Sequence, residues 1–234
     1  MILFGRYLIA HARVTTLLGL TCIVVFALEA IDAGSYDVLG GTGRQLSPAL
    51  ALGVVSRPAI DAGEWWRLVT AGFLHFGIIH LLLNLYALLF VGASLEPRYG
   101  SRRFAIIYGV ALVGGNLATY WLQSPRTFSA GASGAIMGMF AAMAVLGIRF
   151  PFRRELLRSS VLPVVATLAY GFSHPGISNA AHVGGLVSGF VAAWVVGVSP
   201  EWARLTKAQE QAVLEEARRQ RAKQIEPGEP PASD

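Results

Sequence analysis

The chain has 234 residues, 54% of them hydrophobic and only 14% charged, where soluble domains carry about 25% charged residues. Mean hydropathy is +0.53, and the apolar residues fall in blocks of membrane-spanning length, which excludes a soluble globular enzyme and predicts an all-α polytopic membrane protein. A net charge of +5 and a pI near 9.7 would suit nucleic acid, but the placement of the basic residues gives another reason for them.

In chain order, residues 1–13 are a short basic lead carrying Arg6 and Arg13. Val14 to about Ala33 is the first predicted span. It lacks a clear small-residue cleavage site and reads as a retained helix. The single cysteine, Cys22, lies inside it and can make no internal disulfide. Gly34 to Arg67 is a long loop closing on Glu64-Trp65-Trp66-Arg67, and paired tryptophans beside charges fit a membrane–water boundary. His75 to about Leu95 is the second span, and Glu96 to Arg103 a compact basic turn. Phe104–Leu122 is the third, Gln123–Ala130 a polar loop, and Ser133–Ile148 the fourth. Arg149 to Arg158 holds four arginines. Val161 to about Phe172 is the weakest apolar block, interrupted by Pro163, and Ala180–Val198 is the last span. Ser199-Pro200 reads as the N-cap and first position of a charged soluble helix reaching about Gln224, with a disordered tail from Glu226 to Asp234. The expected organisation is therefore a lead (1–13), a six-span helical bundle (14–198) and a charged cytoplasmic segment (199–234).

Six spans put both termini on one side. That side then carries fifteen of the nineteen Lys and Arg residues; Arg44, Arg57, Arg67 and Arg126 lie opposite. Cytoplasmic loops attract positive charge, so both termini are expected in the cytoplasm, with the bundle in the cell membrane. The basicity reports topology, and the expected partner is the lipid bilayer rather than nucleic acid. Omitting the fifth span would move six more positive charges outside, which is the argument for keeping it.

Polar side chains inside a bilayer are expensive and are functional candidates by default. Ser133 stands in Gly131-Ala132-Ser133-Gly134, where a loop becomes a helix and unpaired N–H groups collect. His80 and Asn84 are four apart on one face of the second span. His182 stands near the start of the sixth. With alternating spans, all four fall at similar depth in the outer half of the membrane. One reading is that each is an interhelical hydrogen bond that only holds the bundle, and that Gly-x-Ser-Gly is a tight helix contact. The other is a catalytic constellation. Serine needs an adjacent base, and histidine is the usual one. Between Glu96 and Glu201 the only acidic residue is Glu155, in a loop, so the arrangement reads as a Ser133–His182 dyad without a carboxylate. The N–H of Ser133, the side chain of Asn84 and His80 are candidate oxyanion donors. Gly134 and Gly138 on the fourth span, with Gly185 and Gly189 on the sixth, let the two backbones approach. No metal is expected, because no His-Glu-x-x-His motif exists and His75 and His80 lie about 140° apart round a helix.

These residues resemble the rhomboid family of intramembrane serine proteases. The matching elements are Trp66-Arg67, His75-x4-His80-x3-Asn84, Gly131-Ala-Ser133-Gly134 and Ala181-His182-x2-Gly185-x3-Gly189, spread over residues 14–198. The resemblance implies a six-helix rhomboid fold and peptide-bond hydrolysis in the membrane without a cofactor. It makes Ser133 the nucleophile, His182 the general base, and His80 and Asn84 oxyanion stabilisers. Substrates would be transmembrane proteins with small, helix-destabilising residues near the cut. Glu96 and Arg98 match a structural Glu-x-Arg of the family. Met137 departs from the pattern, standing where many members place an aromatic against the catalytic histidine. A catalytically inactive rhomboid-like protein that binds membrane clients is the alternative from another class. A small transporter or channel would instead need polar groups along a path through the membrane.

Overall fold

The computed structural model describes residues 8, 10–33, 48–173 and 177–225. The expected lead up to Tyr7, the loop 34–47 and the tail 226–234 lie outside the described residues. The chain divides into two units, residues 1–198 and 199–234. The first is built of helices α1 (Arg13–Ala33), α2 (Pro48–Gly53), α3 (Arg57–Asp61), α4 (Arg67–Thr70), α5 (Ile78–Tyr99), α6 (Ser101–Leu122), α7 (Ser133–Arg149), α8 (Arg154–Ser173) and α9 (Asn179–Val196). The second holds α10 (Pro200–Ile225), started by Ser199, whose hydroxyl accepts the Trp202 N–H at 3.2 Å as an N-cap does.

Among the described residues five helices are long and apolar enough to cross a membrane: α1, α5, α6, α8 with its leading turn, and α9. Helix α7 is apolar but shorter, at 17 residues, about 26 Å. Nearly every residue from Gly134 to Gly147 is buried, so α7 is apolar all round because other helices surround it.

Several elements differ from the sequence-based expectation. The loop ending at Arg67 contains two short helices, α2 and α3, and runs into a third, α4, at Arg67. Its guanidinium is buried, pairs with Glu64, and donates to the carbonyls of Ala51 at 2.7 Å and Val54 at 3.0 Å. The second span begins at Ile78 rather than His75, because Gly77 has φ +93°, a backbone region closed to helix. Pro163 does not interrupt α8. The turn before it carries Ser159 and Ser160, whose hydroxyls donate to the carbonyls of Leu156 and Leu157 at 3.1 and 2.7 Å, and membrane helices packed among neighbours tolerate proline. Helix α8 also starts earlier than expected, so Arg154 and Arg158 are helical.

The bundle is fastened at one end by Glu96. Its carboxylate accepts the Val14 and Thr15 backbone N–H groups at 3.0 and 2.8 Å, the Thr15 hydroxyl at 2.8 Å and the Ser101 hydroxyl at 2.5 Å. One buried charge thus caps the first turn of α1 and ties it to α5 and α6, which repays its desolvation. Arg98 turns instead to Ser94, donating to its carbonyl and hydroxyl oxygens.

Candidate active site

The site begins with a glycine turn. Gly131 has φ +123°, and its N–H donates to the Ala71 carbonyl at 2.8 Å. Ser129 and Val55 exchange backbone hydrogen bonds at 2.8 and 3.2 Å. The loop before α7 is therefore pinned to the segment around α3 and α4. Asn116 of α6 adds a bond to the Leu68 carbonyl at 2.9 Å. Ser133 emerges from this loop as the first residue of α7.

Helix α9 then comes close to α7 and α6 at once. A Cβ on Gly185 would run into the Gly134 carbonyl, and one on Gly189 into the Gly138 backbone. A Cβ on Gly138 would come 2.8 Å from the Gly185 carbonyl. The other side of α9 does the same with α6, where a Cβ on Gly115 would sit 2.7 Å from the Ala181 carbonyl and one on Gly184 would strike Ala118. The expected two-helix seam is a three-helix one, with Gly114 and Gly115 as its unexpected members. They were legible as a glycine pair in an apolar span, but the pairing of their helix with α9 was not.

This approach brings the Ser133 hydroxyl to 2.9 Å from His182 Nε2. His182 is 3% exposed and Ser133 half-buried, so the pair is shielded yet reachable. With Nε2 accepting the serine proton, Nδ1 carries the imidazole hydrogen and meets Asn179 Oδ1 at 3.3 Å. The amide of Asn179 is oriented by its own bond to the Leu168 carbonyl, 3.3 Å. Asn179 thus takes the place that a carboxylate holds in a triad, and sequence reasoning passed over it. The available signal was its position three residues before His182, one turn away on the same helix. Helix α9 itself is capped by Ser178, whose hydroxyl accepts the Ala181 N–H at 3.0 Å and lies 3.0 Å from the Thr119 hydroxyl.

His80 sits across the glycine turn. A Cβ on Gly131 would lie 2.8 and 2.9 Å from His80 Cε1 and Nε2, and 3.9 Å from the Ser133 hydroxyl. Only glycine leaves that space open. His80 Nδ1 accepts the Phe76 N–H at 3.3 Å, so Nε2 bears the hydrogen and faces the turn. Asn84 is buried one turn further along α5, but its amide N–H donates to the His80 carbonyl at 2.8 Å. Its Oδ1 has no partner among the described residues. In this geometry the His80 Nε2–H and the α7 N-terminus lie on either side of the Gly131 turn, while the Asn84 amide N–H is turned back onto its own helix. Met137 is fully buried one turn beyond Ser133.

Residues 62–199, which carry all of these groups, match the model of the Rhomboid domain. The chain belongs to the rhomboid family. It is 38% identical over 178 residues to "Rhomboid protease GluP" of Bacillus subtilis, covering 75% of this chain and 33% of that protein. It is 32% identical over 183 residues to "RHOMBOID-like protein 5" of Arabidopsis thaliana, covering 71% and 59%. With "Rhomboid-like protease 3" of Toxoplasma gondii the identity is 31% over 172 residues, covering 71% and 63%. The chain thus spans from a third to just under two thirds of the length of these relatives. Rhomboids are generally intramembrane serine proteases, and some members are inactive.

Proposed function

We propose that this rhomboid is an intramembrane serine endopeptidase that hydrolyses peptide bonds in or near transmembrane segments of membrane-protein substrates. The observation that carries the reading is the 2.9 Å contact between the Ser133 hydroxyl and His182 Nε2, held where three helices meet through glycine. In the proposed reaction His182 Nε2 takes the serine proton as Oγ attacks the scissile carbonyl. The C–N bond of the tetrahedral intermediate breaks, and the proton passes from His182 to the leaving amine. Water, deprotonated by the same nitrogen, then hydrolyses the acyl-enzyme. The Ser133 N–H and the His80 Nε2–H would stabilise the oxyanion, and Asn84 would join them once its side chain turns away from the His80 carbonyl. Asn179 would keep His182 in the productive tautomer.

In the same reading the chain crosses the cell membrane six times, with α7 as the enclosed fourth span and both termini cytoplasmic. Support comes from the five long apolar helices and the fifteen-to-four division of Lys and Arg. The test of function is incubation of the purified full chain with a single-span substrate, beside Ser133→Ala. The expected result is cleavage by the wild type and none by the variant. Equal product from both, or none from either across a panel of single-span substrates, would leave the client-binding alternative.

A further inference from the structure

The catalytic reading leaves one buried acid unused. Glu29, near the end of α1, is 4% exposed, and its Oε1 has no partner among the described residues. Helix α1 reaches α5 through a cluster of Cys22, Phe26, Phe73, Ile78, Leu81 and Leu85, and Glu29 lies one turn beyond Phe26. An apolar side chain would fill that place at far lower cost, because a carboxyl group inside a bilayer is expensive unless it is needed.

Its other oxygen marks the use. Oε2 accepts the His75 backbone N–H in a long bond of 3.5 Å. His75 is 1% exposed and belongs to the irregular turn between Phe73 and Ile78, where no helix supplies an acceptor for that N–H. The same turn holds His80. Phe76 donates its N–H to His80 Nδ1 and stacks on the ring at 6.3 Å between centroids. The His75 ring meets His80 edge-on at 5.2 Å. His75 is itself fixed by Nδ1 against the Phe73 carbonyl at 3.2 Å. The His80 ring is therefore set by residues 75 and 76, and among the described residues the long-range hydrogen bond on these two comes from Glu29.

We propose that Glu29 is a positioning residue for the proposed reaction: it anchors the 73–77 turn, and through His75 and Phe76 aims the His80 Nε2–H at the oxyanion beside Ser133. The proposal rests on the protease reading. A misaimed donor lowers the rate of the chemical step and leaves substrate binding nearly unchanged.

The test compares Glu29→Leu, which fills the site without an acceptor, with Glu29→Gln, which retains one. Melting temperature and single-turnover cleavage of a single-span substrate are measured for each in the full chain. Glu29→Leu is expected to fold at or above the wild-type melting temperature and to lose about tenfold in kcat with KM within about twofold. Glu29→Gln is expected to recover most of the rate. In a His80→Ala background, Glu29→Leu should cost nothing further, because its target is gone. Wild-type kcat in folded Glu29→Leu, a Gln variant no better than Leu, or the same tenfold loss without His80 would each overturn the proposal. Should Glu29→Leu fail to fold, the Gln variant still decides it in the His80→Ala background: its residual loss relative to wild type must vanish there. These results are separable from failure of the protease reading, which would show as Ser133-independent cleavage in otherwise wild-type protein.

Discussion

Helix α9 meets its neighbours α7 and α8 in two different ways. Against α7 the contact is backbone on backbone: Gly185 lies on the Gly134 carbonyl and Gly189 on Gly138, with no room for a methyl group. Against α8 it is slight. Of that helix only Leu156 and Ser160 are buried, while Val161, Leu162, Val165 and Phe172 are at least half exposed. The α8 contact that bears on the site is at Asn179, which bonds the Leu168 carbonyl and touches Gly171. The proposed dyad needs its two atoms fixed within a fraction of an ångström, and a backbone-to-backbone seam is suited to that. Helix α8, which packs on α7 at Gly147 and Leu157 but meets α9 only lightly, supplies the support for the far side of His182.

The comparison can be broken at the seam first. Gly185→Ala places a methyl group inside the Gly134 carbonyl, and since both sides are backbone nothing can rotate away. The expected cost is about 3 kcal/mol, the upper part of the usual range for overpacking, with cleavage lost even in the fraction that stays folded. Melting temperature and cleavage per folded molecule check this. Wild-type behaviour would mean that the two helices are free to move apart.

A smaller effect is expected where α8 supports the site. Asn179→Ala removes the partner of His182 Nδ1, a neutral hydrogen bond worth about 1 kcal/mol net. Activity should fall about fivefold, with little change in melting temperature because the Ser178 cap remains. An equal loss of stability and rate would assign Asn179 to packing alone. The smallest effect is expected on the outward face of α8. Val165→Ala should shift stability by no more than about 0.5 kcal/mol and leave cleavage unchanged. A larger fall in cleavage at full stability would show that this face meets the substrate.

Much of the fold was legible because hydrophobic blocks and their punctuation are local signals. The bounds of α1, the first residue of α7 and the Ser199 cap could all be read from neighbouring residues. What was not legible depended on distant partners. Pro163 reads as a break, yet α8 runs through it from Arg154 to Ser173, as helices packed among neighbours in a membrane can. The stretch from 48 to 67, within the expected loop, reads as irregular until Arg67 is seen to gather its carbonyls. At the candidate site, Ser133 and His182 stood out as polar groups flanked by glycines in apolar spans, and they lie 2.9 Å apart. Asn179 did not stand out, since an asparagine at a helix start is ordinary capping chemistry. Glu29 does not stand out either, because it lies on a different span from the serine and the histidine. The direction of the Asn84 amide, toward its own helix, is a choice among rotamers that no sequence pattern encodes.

The central claim is that His182 activates Ser133, and covalent labelling by a fluorophosphonate probe tests it without knowledge of the substrate. Labelling is followed over time in folded wild type, Ser133→Ala and His182→Ala, with the modified residue located by peptide mapping. The account predicts rapid modification of Ser133 in the wild type, none in Ser133→Ala, and a rate at least about a hundredfold lower in His182→Ala, the loss expected when a general base is removed. Wild-type labelling of Ser133 in folded His182→Ala would contradict it.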